Sequence, residues 1–207
     1  MARNTDYRQE RDKFYIITNG KNTEKSYFEL LKKKKSIYDV VVEFQNEDPI
    51  GLVAYAKKYL GTANAVWCVF DIDYTYEENR LIPALKDAFQ NGINIAYSNK
   101  AFEVWLISHF EQCEKAMEIK DYPEKLEKLL AGCKYKKKYD KSDRDMLEKV
   151  FIPKYKDAVN NAKIVHQKRI KEHNNLFYGT NSEYPIWEWN SCTTVYKLVE
   201  ALKLQEK

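Results

Sequence analysis

Two aspartates two positions apart, Asp71 and Asp73, close the apolar run Ala65–Phe70 (AVWCVF). In an extended chain, residues i and i+2 point to the same side, so the pair presents hard oxygen donors of the kind that hold Mg²⁺ or Mn²⁺ while water or phosphate fills the remaining positions. The same residues also suit the opening of a polar loop, DIDYTYEENR. A second candidate is Thr18-Asn19-Gly20-Lys21-Asn22-Thr23-Glu24, a glycine-containing turn between a strand and a helix. Its amides and the positive helix end can hold a phosphate, with Lys21 adding charge, or it is a plain turn with Thr23 as helix cap. Glu103 and His109 lie on a third segment, whose Phe102, Trp105, Leu106, His109 and Phe110 follow helical spacing. A carboxylate beside such a face must be paired if it is buried, and the histidine is either a hydrogen-bonded core residue or a ligand. Ser98-Asn99, just before this segment, either cap its helix or turn polar groups towards the aspartates.

These residues need a frame that brings them together. Strand-like runs at Phe14–Thr18, Val40–Phe44, Ala65–Phe70 and Ile93–Tyr97 alternate with helical patterns at Thr23–Lys34, Pro49–Leu60 and Leu81–Gln90. That alternation predicts βαβ units, a largely parallel sheet and helices on both faces, hence an α/β fold with its ligand crevice beyond the carboxyl ends of the strands. From Ala101 onward only helical patterns remain: Tyr122–Leu130, Ser142–Val150 with Ser142 as cap, a long helix from Pro153 to about His173 ended near Asn174–Gly179, and a closing helix. The expected organisation is an α/β core over 1–112 and a basic helical extension over 113–207, with the last helix (193–205) packing back on the core.

The 207 residues carry a net charge of +4, with 44% hydrophobic and 14% aromatic residues, a globular composition that excludes a disordered polyampholyte. No apolar window is long enough for a membrane span, and MARNTDYRQERDKF has no signal-peptide core, so a cytoplasmic, membrane-free protein is expected. Four widely spaced cysteines suggest neither a zinc motif nor a disulfide framework. The charge is uneven: Lys120–Lys171 holds 16 Lys and Arg against 8 Asp and Glu. With Tyr135 and Tyr139 interleaved, Lys136, Lys137, Lys138, Lys141, Lys168 and Arg169 form either a nucleic-acid surface or a solvated helix face.

Three blocks resemble the RloB family of bacterial phage-defence proteins. Gly20, Thr23, Glu24, Tyr27 and Phe28 match its first block; Asp71 and Asp73 match its Asp-x-Asp. Ser98, Asn99, Phe102, Glu103, Trp105, Leu106, His109 and Phe110 match its third block, and Val195, Leu198 and Val199 resemble its terminal helix. The resemblance implies a TOPRIM-like catalytic sheet, Mg²⁺ or Mn²⁺ as cofactor, and nuclease activity on RNA, including transfer RNA, as the toxic effector of anti-phage abortive infection. It also implies an ATPase partner encoded nearby; this chain has no G-x-x-x-x-G-K-[ST] loop, so any ATP-driven sensing is expected from that partner. Where the family carries a glutamate before the glycine, this chain has Asn19. An amide can ligate a metal through oxygen but cannot shuttle a proton. The resemblance therefore implies Asp71, Asp73 and Asn19 as metal ligands and Glu24 or Glu103 as the replacement carboxylate. Lys21 and His109 complete the candidate catalytic set. The alternative is a binding module whose site is degenerate at Asn19.

Overall fold

The computed structural model describes residues 12–73, 75–133, 135–172 and 186–205. The elements run β1 (Lys13–Thr18), α1 (Thr23–Leu31), β2 (Asp39–Phe44), α2 (Pro49–Ala56), β3 (Ala65–Asp71), α3 (Leu81–Gln90), β4 (Asn94–Asn99) and α4 (Glu103–Ser108). They continue with α5 (Tyr122–Gly132), α6 (Arg144–Met146), α7 (Tyr155–Glu172), β5 (Cys192–Thr193) and α8 (Val195–Ala201). The sheet has five strands in the order β2-β1-β3-β4-β5, parallel except for β5. This is the expected α/β fold.

Strand alternation divides the core into two layers. Phe14, Ile16, Trp67 and Val69 face one side, where Tyr27 and Phe28 of α1, the α4 residues and the buried faces of α5, α7 and α8 gather. Ile17, Val66, Cys68 and Phe70 face the other, packed by Leu52 and Val53 of α2 and by Leu81, Ala84 and Ala88 of α3. β3 is buried on both sides because helices cover both faces, which is why it reads as an unbroken apolar run. The first layer runs from Phe14 to Leu202, so the C-terminal helices share a core with the sheet. Among the described residues no helix is long and apolar enough to cross a membrane.

Several local expectations change. Thr23 does not cap α1: Asn22 holds the cap position without a side-chain bond, and the Thr23 hydroxyl instead donates to the Lys141 carbonyl (3.1 Å). Ser98 and Asn99 are the last residues of β4 rather than a helix cap, because β5 prolongs the pairing there, Ser98 opposite Thr193 and Asn99 opposite Cys192. The Ser98 and Thr193 hydroxyls lie 2.9 Å apart, and the Asn99 amide donates to the carbonyls of Ile186 (2.8 Å) and Trp187 (2.9 Å). The closing helix is thus shorter than expected, with Thr193 in a strand. Asp143, not Ser142, caps the helical turn at α6, accepting from the Met146 N–H at 3.0 Å. After α6 the chain widens through Leu147–Phe151 and tightens at Ile152–Lys154, where Pro153 withholds a backbone donor. The proposed stop at Asn174–Gly179 lies outside the described residues.

Candidate active site

The odd-numbered positions of β3, Trp67 and Val69, face the layer of α1 and α4, and Asp71 continues that alternation. The start of each of these helices supplies a carboxylate. Glu24 sits in the first turn of α1 and Glu103 in the first turn of α4, both buried, near helix ends whose dipoles favour negative charge. Ile72 is buried and hydrogen-bonded to the Ser98 carbonyl (2.8 Å), which fixes the chain leaving β3, and Asp73 follows on the exposed side. Glu24, Asp71 and Glu103 therefore gather towards the carboxyl ends of β1, β3 and β4, where an open parallel sheet has its crevice, with exposed Asp73 beside Asp71 in the chain.

The carboxylates act on one another electrostatically. Burial pushes the Asp71 carboxyl well above its ordinary range, and repulsion from Glu24, Glu103 and Asp73 adds to it. Burial also raises Glu24, with Glu103 contributing and its own backbone N–H opposing. The Glu24 side chain folds back over Gly20: a Cβ at Gly20 would overlap the carboxylate carbon and both its oxygens. A side chain at position 20 would therefore displace the Glu24 carboxylate from this position.

Glu103, only 3% exposed, meets the condition set for a buried carboxylate through two residues far along the chain. Lys141 Nζ lies 2.6 Å from its Oε1, and the Tyr139 hydroxyl donates to the same oxygen at 3.1 Å. Desolvation lowers the Lys141 pKa, but the hydrogen bond and charge of Glu103 outweigh it and leave it raised. Burial raises the Tyr139 phenol, reinforced by Glu103. In the sequence Lys141 reads as part of a basic surface and Tyr139 as an interleaved aromatic; no local signal links them to a residue in α4.

A family model described as RloB-like protein matches residues 14–202. The chain belongs to the RloB-like family. No curated protein and no solved structure matches it.

The remaining candidates fall in different places. Asn19 directly follows β1, its N–H donating to the Val69 carbonyl (3.2 Å), and Lys21 is exposed in the next turn. His109 is not at the site but in the core, 1% exposed and ringed by Tyr27, Trp105 and Phe151. Its Nδ1 lies 2.9 Å from the Trp105 carbonyl and its Nε2 3.0 Å from the Tyr27 hydroxyl, a pattern met by Nδ1–H donating and Tyr27 O–H donating. Burial pushes its pKa down to about 3, which suits a neutral structural ring and not a proton shuttle.

Of the basic residues, Lys168 is ion-paired with Glu114. The Arg169 guanidinium donates to the Glu114 carbonyl (2.7 Å) and pairs with Glu172 (3.0 Å), so both brace the chain beyond α4, Lys168 while remaining exposed. Lys136 and Lys138 are exposed, and Lys137 is exposed and paired with Asp143 (3.3 Å).

A divalent metal is implied by the family resemblance, and the donor set fits it chemically. All four side chains are hard oxygen donors, and their mutual repulsion is the kind that a small cation relieves. Among the described residues no three His, Cys, Asp or Glu side chains are already arranged to hold an ion, and Lys141 supplies the local positive charge.

Proposed function

We propose that this chain is a Mg²⁺- or Mn²⁺-dependent nuclease that cleaves phosphodiester bonds, with RNA, including transfer RNA, as the favoured substrate. The observation that supports the reading is the placement of Glu24 and Glu103 in the first turns of α1 and α4 and of Asp71 at the end of β3, with exposed Asp73 two residues on, all at the sheet's carboxyl edge. Asp71 and Asp73 would hold the ion, with Glu24 or Glu103 as a further carboxylate and Asn19 as an oxygen donor at the end of β1. A bound divalent ion would supply charge neutralisation at the phosphate and a more acidic water.

The chain's own residues account for the rest. Glu24, its carboxyl raised by burial, is suited to accept a proton from water and return it to the leaving oxygen. Gly20 keeps that carboxylate in place. Lys21, exposed at the turn before α1, and the exposed Lys136, Lys137 and Lys138 would hold the phosphate backbone by charge. A role as toxic effector in cytoplasmic anti-phage defence, alongside an ATPase partner, rests on the resemblance set out above.

Asn19 and the Lys141–Glu103 pair support a second reading, a non-catalytic nucleic-acid or partner-binding module. One experiment separates the two: purified protein incubated with total transfer RNA and Mg²⁺ or Mn²⁺, alone and with the product of a neighbouring ATPase gene. Cleavage that disappears in Asp71→Asn/Asp73→Asn supports the nuclease. RNA retention without cleavage under every condition supports the module.

A further inference from the structure

The segment Tyr139–Lys141 is tied to the starts of both helices that supply buried carboxylates. Its Lys141 carbonyl accepts from Thr23 at the head of α1, while the Lys141 ammonium and the Tyr139 hydroxyl converge on Glu103 at the head of α4. The segment is itself a firm turn: Ser142 donates its N–H (2.8 Å) and hydroxyl (2.7 Å) to Asp140, and Asp143 accepts from Tyr135 (2.8 Å) while capping the next helical turn. The two ends of the ion pair differ in access. The Glu103 side chain is 4% exposed and that of Lys141 56%, so the lysine reaches inward from solvent to a fixed carboxylate.

Among the described residues no other ion pair reaches the acidic site. Lys141 also lines a surface hollow of about 560 Å³ with Lys137, Lys138, Tyr139, Asp140 and Asp143, the two aspartates being engaged by Ser142 and by Tyr135 and Lys137. It is therefore placed to face either the carboxylates or a ligand in the hollow.

We propose that Lys141 is an exchangeable counter-cation: it neutralises Glu103 while the site is free of metal, and passes to a non-bridging phosphate oxygen of the substrate when a divalent ion takes over the carboxylates. The inference rests on the metal reading above and adds a substrate-binding residue to it. One ammonium cannot serve both partners at full strength, so metal and phosphodiester binding become coupled through this side chain, each favouring the other. Tyr139 and the Thr23 bond keep the turn in place during the exchange, so that only the lysine side chain has to swing.

The test uses the full chain as wild type, Lys141→Met and Lys141→Arg, each checked for an intact thermal melt. It measures Mn²⁺ binding by calorimetry and the salt dependence of binding to a non-cleavable 2′-O-methyl oligoribonucleotide, with and without Mn²⁺. Lys141→Met should bind Mn²⁺ about tenfold more tightly, because no ammonium has to be displaced, while Lys141→Arg stays close to wild type. With Mn²⁺ present, Lys141→Met should lose roughly 0.7 from the logarithmic salt slope, the share of one phosphate contact on a single strand; without Mn²⁺ its slope should equal that of wild type.

Equal Mn²⁺ affinity in wild type and Lys141→Met overturns the exchange while leaving the metal site standing. A slope reduced equally with and without Mn²⁺ also overturns it, since Lys141 is then an ordinary surface contact. If wild type takes up no Mn²⁺ at all, the metal reading falls and the exchange falls with it.

Discussion

The Gly20→Ala substitution tests the acidic site through a residue that carries no charge. The added methyl would overlap the Glu24 carboxylate, which must retreat by about 1.5–2 Å to reach ordinary van der Waals separation. The backbone can accept alanine, because Gly20 is not among the residues with positive φ, and the clash involves the far end of a flexible side chain. Folding should therefore change by less than about 1 kcal/mol, or roughly 2–4 °C in melting temperature for a chain of this size. The effect on a bound divalent ion is larger. At an effective dielectric of about 20, a carboxylate about 4 Å from a doubly charged ion contributes roughly 8 kcal/mol, and its retreat removes roughly 2–3 kcal/mol of that. Calorimetric Mn²⁺ affinity should fall at least tenfold, and Glu24→Gln, which removes the charge altogether, should weaken it further. Wild-type affinity in Gly20→Ala would refute the argument that glycine is there to seat Glu24, and a collapsed melting temperature would show that the clash is taken up by the backbone.

Other substitutions separate the site from its supports. Raised carboxyls bind protons more strongly in the folded than in the unfolded chain. The contribution of Asp71 and Glu24 to stability is therefore fully present below the ordinary carboxylate range and lost as pH rises through their folded values. Metal-free Asp71→Asn should accordingly gain stability over wild type at about pH 7.5 and lose that advantage near about pH 4.5, as read by melts at both values. His109 has the opposite sign: its folded pKa of about 3 lies below 6.5, so it destabilises the protein as pH falls below 6.5. His109→Gln should cost about 2–4 kcal/mol in denaturant melts, through two lost hydrogen bonds and poorer packing, while Mn²⁺ affinity of the folded protein is unchanged. Reversing the exposed Lys136 and Lys138 to Glu should weaken oligoribonucleotide binding and flatten its salt dependence without moving the melt or the Mn²⁺ affinity.

What could be read from the sequence follows the range of the forces involved. α3 was legible to the residue and β3 to within one, because burial on one helical stripe, or on both faces of a strand, writes itself into local periodicity. Asp71, Asp73, Glu24 and Glu103 were legible as candidates for the same reason: each stands at an element boundary beside a long apolar pattern. β5 was not, since two residues carry no period and its pairing with Ser98 and Asn99 spans more than 90 positions. Ser142 and Asp143 are both capping types one residue apart, and only the accepted Met146 N–H decides between them. Lys141 and Tyr139 read as members of a basic surface because charge composition registers density and not direction. Their pairing with Glu103, buried 36 or more positions away, is a tertiary fact. The environment of His109 was legible as an apolar helix face, but the hydroxyl of Tyr27 that satisfies it comes from α1.

The tie between the turn after α1 and the chain after α8 bears on how this protein comes to be folded. The Ser36 hydroxyl donates to the Leu202 carbonyl (2.6 Å) across 166 positions, Gln205 N–H donates to the Lys35 carbonyl (2.7 Å), and Ser36 and Leu204 form an isolated antiparallel bridge. Because α8 belongs to the same core layer as β1 and packs against β4 and α7, contacts of very high sequence separation must close before the sheet is covered on that side. Such topology slows folding, and most of the loop-closure entropy is spent before the burial that repays it. During synthesis the acidic residues of positions 24, 71 and 103 would leave the ribosome well before the segment that seals their layer, so the site should mature late and in one cooperative step. A fragment ending at residue 112 should accordingly show little fixed tertiary structure by near-ultraviolet circular dichroism, and native-like spectra from it would mean that the sheet can stand without its C-terminal cover.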